Sequence, residues 1–144
     1  MVTGDYPATA EAIGRRAGLT GRGVISGGEL AHLDDTSVAA RVRTVSVFAR
    51  ILPEQKLRIV NALKADGEIV AMTGDGTNDA PALASADLGI SLGSGTDAAK
   101  EAAAVVVLKG DIAGIARAFL IGRATVRVIR QNLFLAFAYN ALAL

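Results

Sequence analysis

The sequence contains no cysteine and no tryptophan, and aromatic residues occupy only 4% of its 144 positions. The absence of cysteine excludes disulfides, thiolate metal sites and cysteine nucleophiles, and it agrees with exposure to a reducing compartment. Lysine and arginine nearly balance aspartate and glutamate, which leaves a formal net charge of +1. The chain therefore lacks the basic field that draws proteins to nucleic acid, and we expect no nucleic-acid partner.

Hydrophobic residues make up 51% of the chain, and alanine, valine, leucine and isoleucine supply most of them. This mixture is typical of helices packed against parallel strands, so it favours an α/β fold. A length of 144 residues gives room for one ordinary domain, or for one domain with an appended piece. The N-terminal segment lacks the basic start and apolar run of a signal peptide.

Short apolar runs alternate with helical patterns along the chain. The runs predict buried strands over residues 44–49, 69–72, 88–92 and 105–108. Helical spacing predicts helices over residues 7–19, 53–67, 79–86 and 97–103. Residues 18–35 are rich in loop-forming types, and only a weak helix is predicted around 29–33. The alternating order is that of a doubly wound α/β fold with a parallel sheet.

The C-terminal part of the sequence predicts one long helix from Ile112 onwards. Its last charges are arginines, and residues 131–144 carry no charge at all. Arginines before an uncharged run are typical of a cytoplasmic membrane boundary, although this run is only about half of the ~20 residues that a membrane span requires. We therefore expect a domain over residues 1–115 and, over 116–144, a juxtamembrane helix with a truncated start of a membrane-entering helix that contacts lipid. A buried C-terminal helix is the alternative.

The segment "VAMTGDGTND", residues 70–79, places acidic and amide side chains directly after an apolar strand. The carboxyl end of a parallel strand is where doubly wound folds bind ligands, and the glycines around Asp75 allow a ligand to approach the backbone. Asp75 and Asp79 suit Mg²⁺, which takes one or two carboxylates together with water and phosphate oxygens. Asn78 offers an amide donor between them. The alternative for Asp79 is a role as the N-cap of the following helix.

Two further segments carry candidate phosphate ligands. Thr3 and Gly4 in "VTGD" offer a hydroxyl and a backbone amide, and Lys56 follows a predicted strand on the first turns of a helix. A common turn and a solvated lysine are the respective alternatives. The pattern Gly-Ile-Ser-Leu-Gly at 89–93 matches a nucleophile elbow, but its serine lies inside a strand and the only histidine, His32, precedes it.

Three motifs occur together and in order: Thr3-Gly4-Asp5, Lys56 in a "PEQK" setting, and "TGDGTNDAPAL" at 73–83. In this combination the chain resembles the phosphorylation domain of P-type cation-transporting ATPases, which are haloacid-dehalogenase-like phosphotransferases. The resemblance implies a Rossmann-like parallel sheet, an aspartyl-phosphate intermediate, and Mg²⁺ and ATP as ligands. It also implies a role for each matched residue: Thr3 and Lys56 bind the phosphoryl group with Gly4 beside them, Asp75 ligates Mg²⁺, Asp79 holds it in place, Asn78 contacts phosphate, and Asp5 lies at the hinge or nucleotide edge.

One element of that family is missing from this sequence. The nucleophilic aspartate belongs to an Asp-Lys-Thr-Gly-Thr motif, which does not occur here. The resemblance therefore implies a fragment of a multi-pass membrane pump, inactive alone, whose partners are the nucleotide-binding, actuator and transmembrane parts of the same pump. Residues 1–130 would then lie on the cytoplasmic side. The alternatives are a free-standing phosphatase of the same superfamily and a non-catalytic regulatory module that binds a complete pump.

Two parts of the sequence differ in the ion that they favour. "IRQNLFLAFAYNAL", residues 129–142, resembles the membrane boundary of copper and other heavy-metal pumps, which makes Tyr139 and Asn140 candidates on the path of the transported cation. These two side chains are uncommon metal ligands, and bonding to neighbouring helices is the alternative. "GDYPATA" and "VFARILPEQK" instead resemble calcium-type pumps. We expect a heavy-metal ion such as copper.

Overall fold

The computed structural model describes residues 1–19, 23–108 and 111–142. Helices and strands alternate along these residues, as the sequence pattern predicts. The elements are α1 (Pro7–Arg16), β1 (Val24–Ser26), α2 (Gly27–Ala31), α3 (Asp35–Thr44), β2 (Val47–Ala49), α4 (Pro53–Ala65), β3 (Ala71–Gly74), a 3₁₀ turn (Thr77–Asp79), α5 (Ala80–Ser85), β4 (Leu88–Leu92), α6 (Asp97–Ala102), β5 (Val105–Val107) and α7 (Ile112–Leu142).

The strands form two parallel sheets. In the first sheet β1 pairs with β2, and an isolated parallel bridge joins Val2 to Phe48 on the other side of β2. In the second sheet β4 lies between β3 and β5. The predicted parallel α/β fold is thus confirmed. Since all pairings in a sheet are parallel, the loops that follow its strands gather at one edge, where this class of fold places ligands.

Helix α4 packs on both sheets. Its Ile59 belongs to the core cluster that contains Ile25 and Phe48 of the first sheet. The adjacent Val60 belongs to the cluster that contains Val70, beside β3 of the second sheet. Full burial of such side chains stabilises a fold by about 1.5–3 kcal/mol each, so α4 ties the two halves together through apolar contacts.

The first sheet is covered on both faces. Phe48 points into the cluster formed with α3 and α4, whereas Val47 and Ala49 pack against Ala10 of α1. A Cβ at Gly14 of α1 would come within 2.8 Å of Val47 Cγ2, so glycine lets α1 lie close to β2. The result is a helix–sheet–helix arrangement, as expected of a doubly wound fold.

Helix α3 is the main element that sequence reasoning missed. The strand predicted over 44–49 is only Val47–Ala49, because Thr44 ends α3. Asp34 caps this helix, its side chain accepting the backbone N–H of Ser37 at 2.8 Å. Val38 and Val42, one helical turn apart, are buried in the core. An N-cap aspartate and two valines four residues apart were therefore signals that the sequence already carried.

Strand β3 begins two residues later than predicted. The prediction started at Ile69, whose side chain is 88% exposed, and β3 runs over Ala71–Gly74 instead. Val70 precedes it and donates its N–H to Asp87 Oδ2 at 2.9 Å. The Val70 N–H is therefore bonded to a side chain, while the Val70 carbonyl accepts the N–H of Leu88 on β4 at 3.1 Å, so the ladder with β4 begins at this carbonyl.

Helix α7 confirms the long helix predicted from Ile112. Asp111 starts it by accepting the N–H of Ala113 at 2.9 Å and a guanidinium bond from Arg117 at 2.9 Å. None of the residues of α7 is buried. Across the described part of the chain, no helix combines the length and the apolar character that a membrane crossing requires. The domain boundary at residue 115 stays a prediction.

The Asp87 contact predicts a specific dependence of stability on pH. The Val70 N–H, and then Lys64, lower the pKa of the Asp87 carboxyl below its ordinary value. Its contribution is complete above the ordinary value of about 3.9 and is lost as the pH falls through the lowered value in the folded state. We expect Asp87→Asn to lose less stability than wild type between about pH 5 and about pH 3. Urea midpoints at both pH values measure this, and equal losses in the two proteins would contradict it.

Candidate functional site

A cavity of about 510 Å³ lies between the two sheets. Residues 1–4 line one side and residues 70–75 line the other, while Ile59, Val60 and Leu63 of α4 form its apolar part. Lys56 and Asp79 complete the lining. The cavity therefore brings together five predicted site residues: Thr3, Gly4, Lys56, Asp75 and Asp79.

Asp75 lies directly after the last residue of β3, as the sequence predicts, and its side chain is exposed. Its backbone carbonyl accepts the N–H of Thr96 at 2.8 Å. A Cβ at Gly95 would lie 3.1 Å from Asp75 Cα, so the loop before α6 packs closely behind this residue. The backbone of Asp75 is supported while its carboxylate stays accessible to a ligand.

Asp79 makes an ion pair with Lys56, whose Nζ lies 2.6 Å from Asp79 Oδ1. The two side chains are only 11% and 20% exposed, respectively. The other carboxylate oxygen of Asp79 accepts the N–H of Gly76 at 3.2 Å. A Cβ at Gly74 would come within 2.7 Å of Asp79 Cβ, so glycine is required for this approach. Asp79 makes no side-chain cap bond to α5, and its carboxylate instead orders the loop that carries Asp75.

Thr3 and Asp5 are joined by two hydrogen bonds. Thr3 Oγ1 donates to Asp5 Oδ2 at 2.7 Å, and the Asp5 N–H donates back to Thr3 Oγ1 at 3.2 Å. The Thr3 N–H donates to the Phe48 carbonyl at 2.9 Å, which fixes this turn beside β2. Gly4 has open space around it, with nothing within 4 Å of an added Cβ. This turn therefore presents a hydroxyl and an unobstructed backbone to the cavity.

The remaining predicted residues lie outside the cavity. Asn78 is exposed on the 3₁₀ turn, and Asp5 is exposed at the rim. Tyr139, which is 73% exposed, and Asn140 lie near the C-terminal end of α7. Ser91 is fully buried within β4, which agrees with its dismissal as a nucleophile.

Asp75 and Asp79 could hold Mg²⁺ only together with ligands from outside this chain, such as water and a phosphate. Within the described residues, no group of three or more histidine, aspartate or glutamate side chains lies close enough to hold a metal ion. Asp75 has a free carboxylate, whereas that of Asp79 is engaged by Lys56 and Gly76. Because Mg²⁺ commonly takes one or two carboxylates and completes its shell with water and phosphate, the donor set fits such an ion when a phosphate is also present.

Sequence reasoning missed two residues beside this site. Arg50 follows β2 with a positive φ of 51°, and its guanidinium lies 4.6 Å from the centre of the Tyr6 ring. Tyr6 follows the Thr3-Gly4-Asp5 turn. The sequence signal was an arginine directly after a buried strand, but nothing in the sequence revealed its backbone conformation or its aromatic neighbour.

Curated relatives of the chain are cation pumps. It is 46% identical over 142 residues to the copper-exporting P-type ATPase of Legionella pneumophila, a match that covers 99% of this chain and 16% of the relative. It is 42% identical over 142 residues to a calcium-transporting ATPase of Listeria monocytogenes, with 97% and 16% covered. The silver exporting P-type ATPase of Salmonella typhimurium is 45% identical over 142 residues, with 99% and 14% covered. The chain thus spans about a sixth of the length of these relatives.

A solved structure is also similar to this chain. The crystal structure of a zinc-transporting PIB-type ATPase in the E2.Pi state matches with a TM-score of 0.66 and 34% sequence identity. The match covers 91% of this chain and 17% of that one. Fold and sequence therefore agree on the same class of protein.

The Lys56–Asp79 pair predicts a difference in stability between the two acidic residues. Asp79→Ala leaves the largely buried Lys56 ammonium without its partner, so we expect the free energy of unfolding to fall by about 1–3 kcal/mol. Asp75→Ala removes an exposed carboxylate and should change it by less than about 0.5 kcal/mol. Adding Lys56→Met to Asp79→Ala should restore part of the loss. Urea unfolding measures all three, and equal losses for the two aspartate variants would contradict the assignment.

Two family descriptions match the chain, and both are of haloacid dehalogenase-like hydrolases. One covers residues 1–87 and the other residues 56–119. The first spans more than half of the chain and includes the Thr3-Gly4-Asp5 turn, Lys56 and the loop that carries Asp75. The chain therefore belongs to the haloacid dehalogenase-like hydrolase family, and its relatives within that family are P-type cation-transporting ATPases.

Proposed function

We propose that this chain is the C-terminal portion of the phosphorylation domain of an ATP-driven membrane cation pump. In that pump it supplies the Mg²⁺-binding and phosphoryl-binding part of the aspartyl-phosphate site. The observation that carries the proposal is the single cavity lined by Thr3, Lys56, Asp75 and Asp79. The similarity to copper-exporting, silver exporting and calcium-transporting ATPases supports it.

Each residue has a distinct proposed role. Thr3 and Lys56 bind the phosphoryl group that ATP donates, with the Gly4 backbone beside them and Asn78 as a further phosphate contact. Asp75 is the Mg²⁺ ligand, and the ion neutralises phosphoryl charge during transfer. Asp79 orients Lys56 through their 2.6 Å ion pair and orders the Asp75 loop through Gly76. Asp5 accepts the single hydroxyl proton of Thr3 at 2.7 Å, so the proposed role requires this hydroxyl to turn from Asp5 to a phosphoryl oxygen when the phosphoryl group binds.

The cavity also suggests how the missing nucleophile reaches this site. Val2 flanks the cavity on one side and forms a parallel bridge with Phe48 on β2. Strand β3 flanks it on the other side and pairs with β4. Within the described residues, neither Val2 nor β3 has a strand partner on the side that faces the cavity. Neighbouring strands lie about 4.8 Å apart, so one extended segment between these edges would join the two sheets into one.

We propose that this segment comes from the rest of the pump. It would carry the nucleophilic aspartate at its carboxyl end, beside Lys56 and Asp75. Without it the chain has phosphate and Mg²⁺ ligands but no residue to receive the phosphoryl group, so the isolated chain is inactive. The nucleotide-binding, actuator and transmembrane parts of the pump are its further partners.

The transported ion and the membrane location are further parts of the proposal. We propose a heavy-metal ion such as copper, with Tyr139 and Asn140 on its path, supported by the copper and silver relatives and by the resemblance at 129–142. Calcium is the alternative transported ion, because one of the similar relatives is a calcium-transporting ATPase. Helix α7, with its exposed apolar residues and with arginines as its only charged residues, would lead from the cytoplasmic part into the membrane.

The Mg²⁺ role of Asp75 predicts the outcome of Asp75→Asn in a complete pump that contains this sequence. Nucleotide affinity should stay within about twofold, whereas phosphoenzyme formed from ATP should fall by about a hundredfold or more, because the ion that offsets phosphoryl charge is lost. The matched control is Asp97→Asn on α6, whose carboxylate is fully exposed. It should leave phosphoenzyme levels unchanged. A normal phosphoenzyme level in Asp75→Asn would refute the proposed role.

A further inference from the structure

The turn that follows β4 lies directly behind Asp75. Gly74, the residue before Asp75, is the register partner of Ser91 on β4. After β4 the chain turns back on itself, and the Gly95 N–H donates to the Leu92 carbonyl at 2.9 Å. This turn brings Gly95 against the backbone of Asp75, on the side away from the cavity.

Gly95 packs so closely against its neighbours that it leaves little room for a side chain. It is buried, and an added Cβ would lie 3.1 Å from Asp75 Cα, 3.0 Å from Ser91 Oγ and 3.0 Å from the Leu92 carbonyl oxygen. Ser91 has little freedom to move away, because it is fully buried within β4. The φ of Gly95 is not positive, so its backbone suits alanine and only the close approach opposes one.

Thr96 adds a hydrogen bond to the same support. Its N–H donates to the Asp75 carbonyl at 2.8 Å. Its side chain caps α6, because Oγ1 accepts the N–H of Ala99 at 3.3 Å. The Asp75 backbone is thus tied to the start of a helix, whereas the Asp79 carboxylate holds the other flank of the loop through Gly76. Asp75 is therefore fixed from two sides.

The position of a carboxylate matters more for Mg²⁺ than for Ca²⁺. Mg²⁺ demands near-ideal octahedral geometry at about 2.0–2.1 Å, whereas Ca²⁺ accepts roughly six to eight oxygens at about 2.3–2.6 Å in flexible arrangements. A carboxylate on a fixed backbone therefore favours the smaller ion, and a displaced carboxylate penalises that ion more. A residue that fixes Asp75 should consequently change the ratio of the affinities for the two ions.

We propose that Gly95 and Thr96 are positioning residues for Asp75, and that their turn shifts the metal selectivity of the site toward Mg²⁺ and away from Ca²⁺. Neither residue lines the cavity, so both act through Asp75 and not by contact with the metal or the phosphate. The assignment rests on the proposed function and deepens it, because it requires Asp75 to be the metal ligand.

The test measures the affinity of the isolated chain for Mg²⁺ and for Ca²⁺. Magnesium chloride or calcium chloride is titrated into the isotope-labelled protein in the presence of sulfate, a tetrahedral anion that replaces phosphate. The NMR signals of the Asp75 and Gly76 amides report binding, and Asp75→Asn identifies the shifts that belong to this site. Urea unfolding of each variant measures its stability separately.

Two variants disturb the turn, and each has a matched control. Gly95→Ala adds the Cβ that presses on Asp75, whereas Gly122→Ala on α7 adds one where nothing lies within 4 Å. Thr96→Pro removes the N–H that bonds to Asp75, and the Thr96 φ of −64° suits proline. Thr96→Val keeps this N–H but also lacks the capping hydroxyl, so the comparison isolates the backbone bond.

We expect Gly95→Ala and Thr96→Pro to weaken Mg²⁺ binding about tenfold and Ca²⁺ binding by less than about threefold. Gly122→Ala and Thr96→Val should stay within about twofold of wild type for both ions, although Thr96→Val loses some stability with its cap. A general loss of structure would not change the ratio of the two affinities, because it weakens the binding of both ions alike.

Unchanged Mg²⁺ affinity in Gly95→Ala or in folded Thr96→Pro would overturn the assignment, as would equal losses for the two ions or losses no larger than those of the matched controls. If Thr96→Pro does not fold, Gly95→Ala decides alone. The Mg²⁺ role of Asp75 survives such a failure if Asp75→Asn abolishes the metal-dependent shifts. If the wild-type chain shows no such shifts, or Asp75→Asn keeps them, both the Mg²⁺ role and the positioning role fail.

Discussion

The ion pair between Lys56 and Asp79 is the contact on which the arrangement of the site depends. Lys56 lies on α4, which packs on both sheets, and Asp79 lies on the turn that follows β3. With the pair largely shielded from water, its attraction is stronger than that of an exposed pair, and loss of one partner is costly. Through Gly76 the same carboxylate orders the loop of Asp75. One interaction thus connects the helix that joins the sheets to the loop that carries the proposed Mg²⁺ ligand.

Under the proposed function, the two parallel sheets of this chain form an incomplete site, and the missing element is one strand between them. The cavity is bounded by polar residues at the strand-end edge and by apolar α4 residues behind it, as expected for a place that accepts an extended segment and then binds phosphate. A chain that spans about a sixth of the length of its relatives need not hold a complete set of their catalytic groups. Backbone contacts fix the two candidate ligands Thr3 and Asp75 in the folded chain, so their arrangement is preformed.

Much of this could be predicted from sequence, and the reasons differ by element. Pro53 at the start of α4 and the aliphatic run of β4 are strong local signals. Asp75 between two glycines after an apolar run predicted its position at the end of β3, whereas its role as a ligand stays a prediction. Strand β1 has only three residues, too few for a periodic pattern. The division into two sheets is tertiary, since it depends on which strand edges meet. The pairing of Lys56 with Asp79, 23 positions apart, likewise depends on the packed fold.

The central claim is that the cavity between Val2 and β3 receives a strand that carries the nucleophilic aspartate. The most direct measurement is an NMR titration of the labelled chain with a synthetic peptide, a β-branched apolar run followed by Asp-Lys-Thr-Gly-Thr. The account predicts saturable shifts and slowed amide exchange at residues 2–4 and 71–74, on both edges of the cavity. A scrambled peptide of the same composition should not produce them. No change at either edge, or changes confined to α7, would contradict the claim.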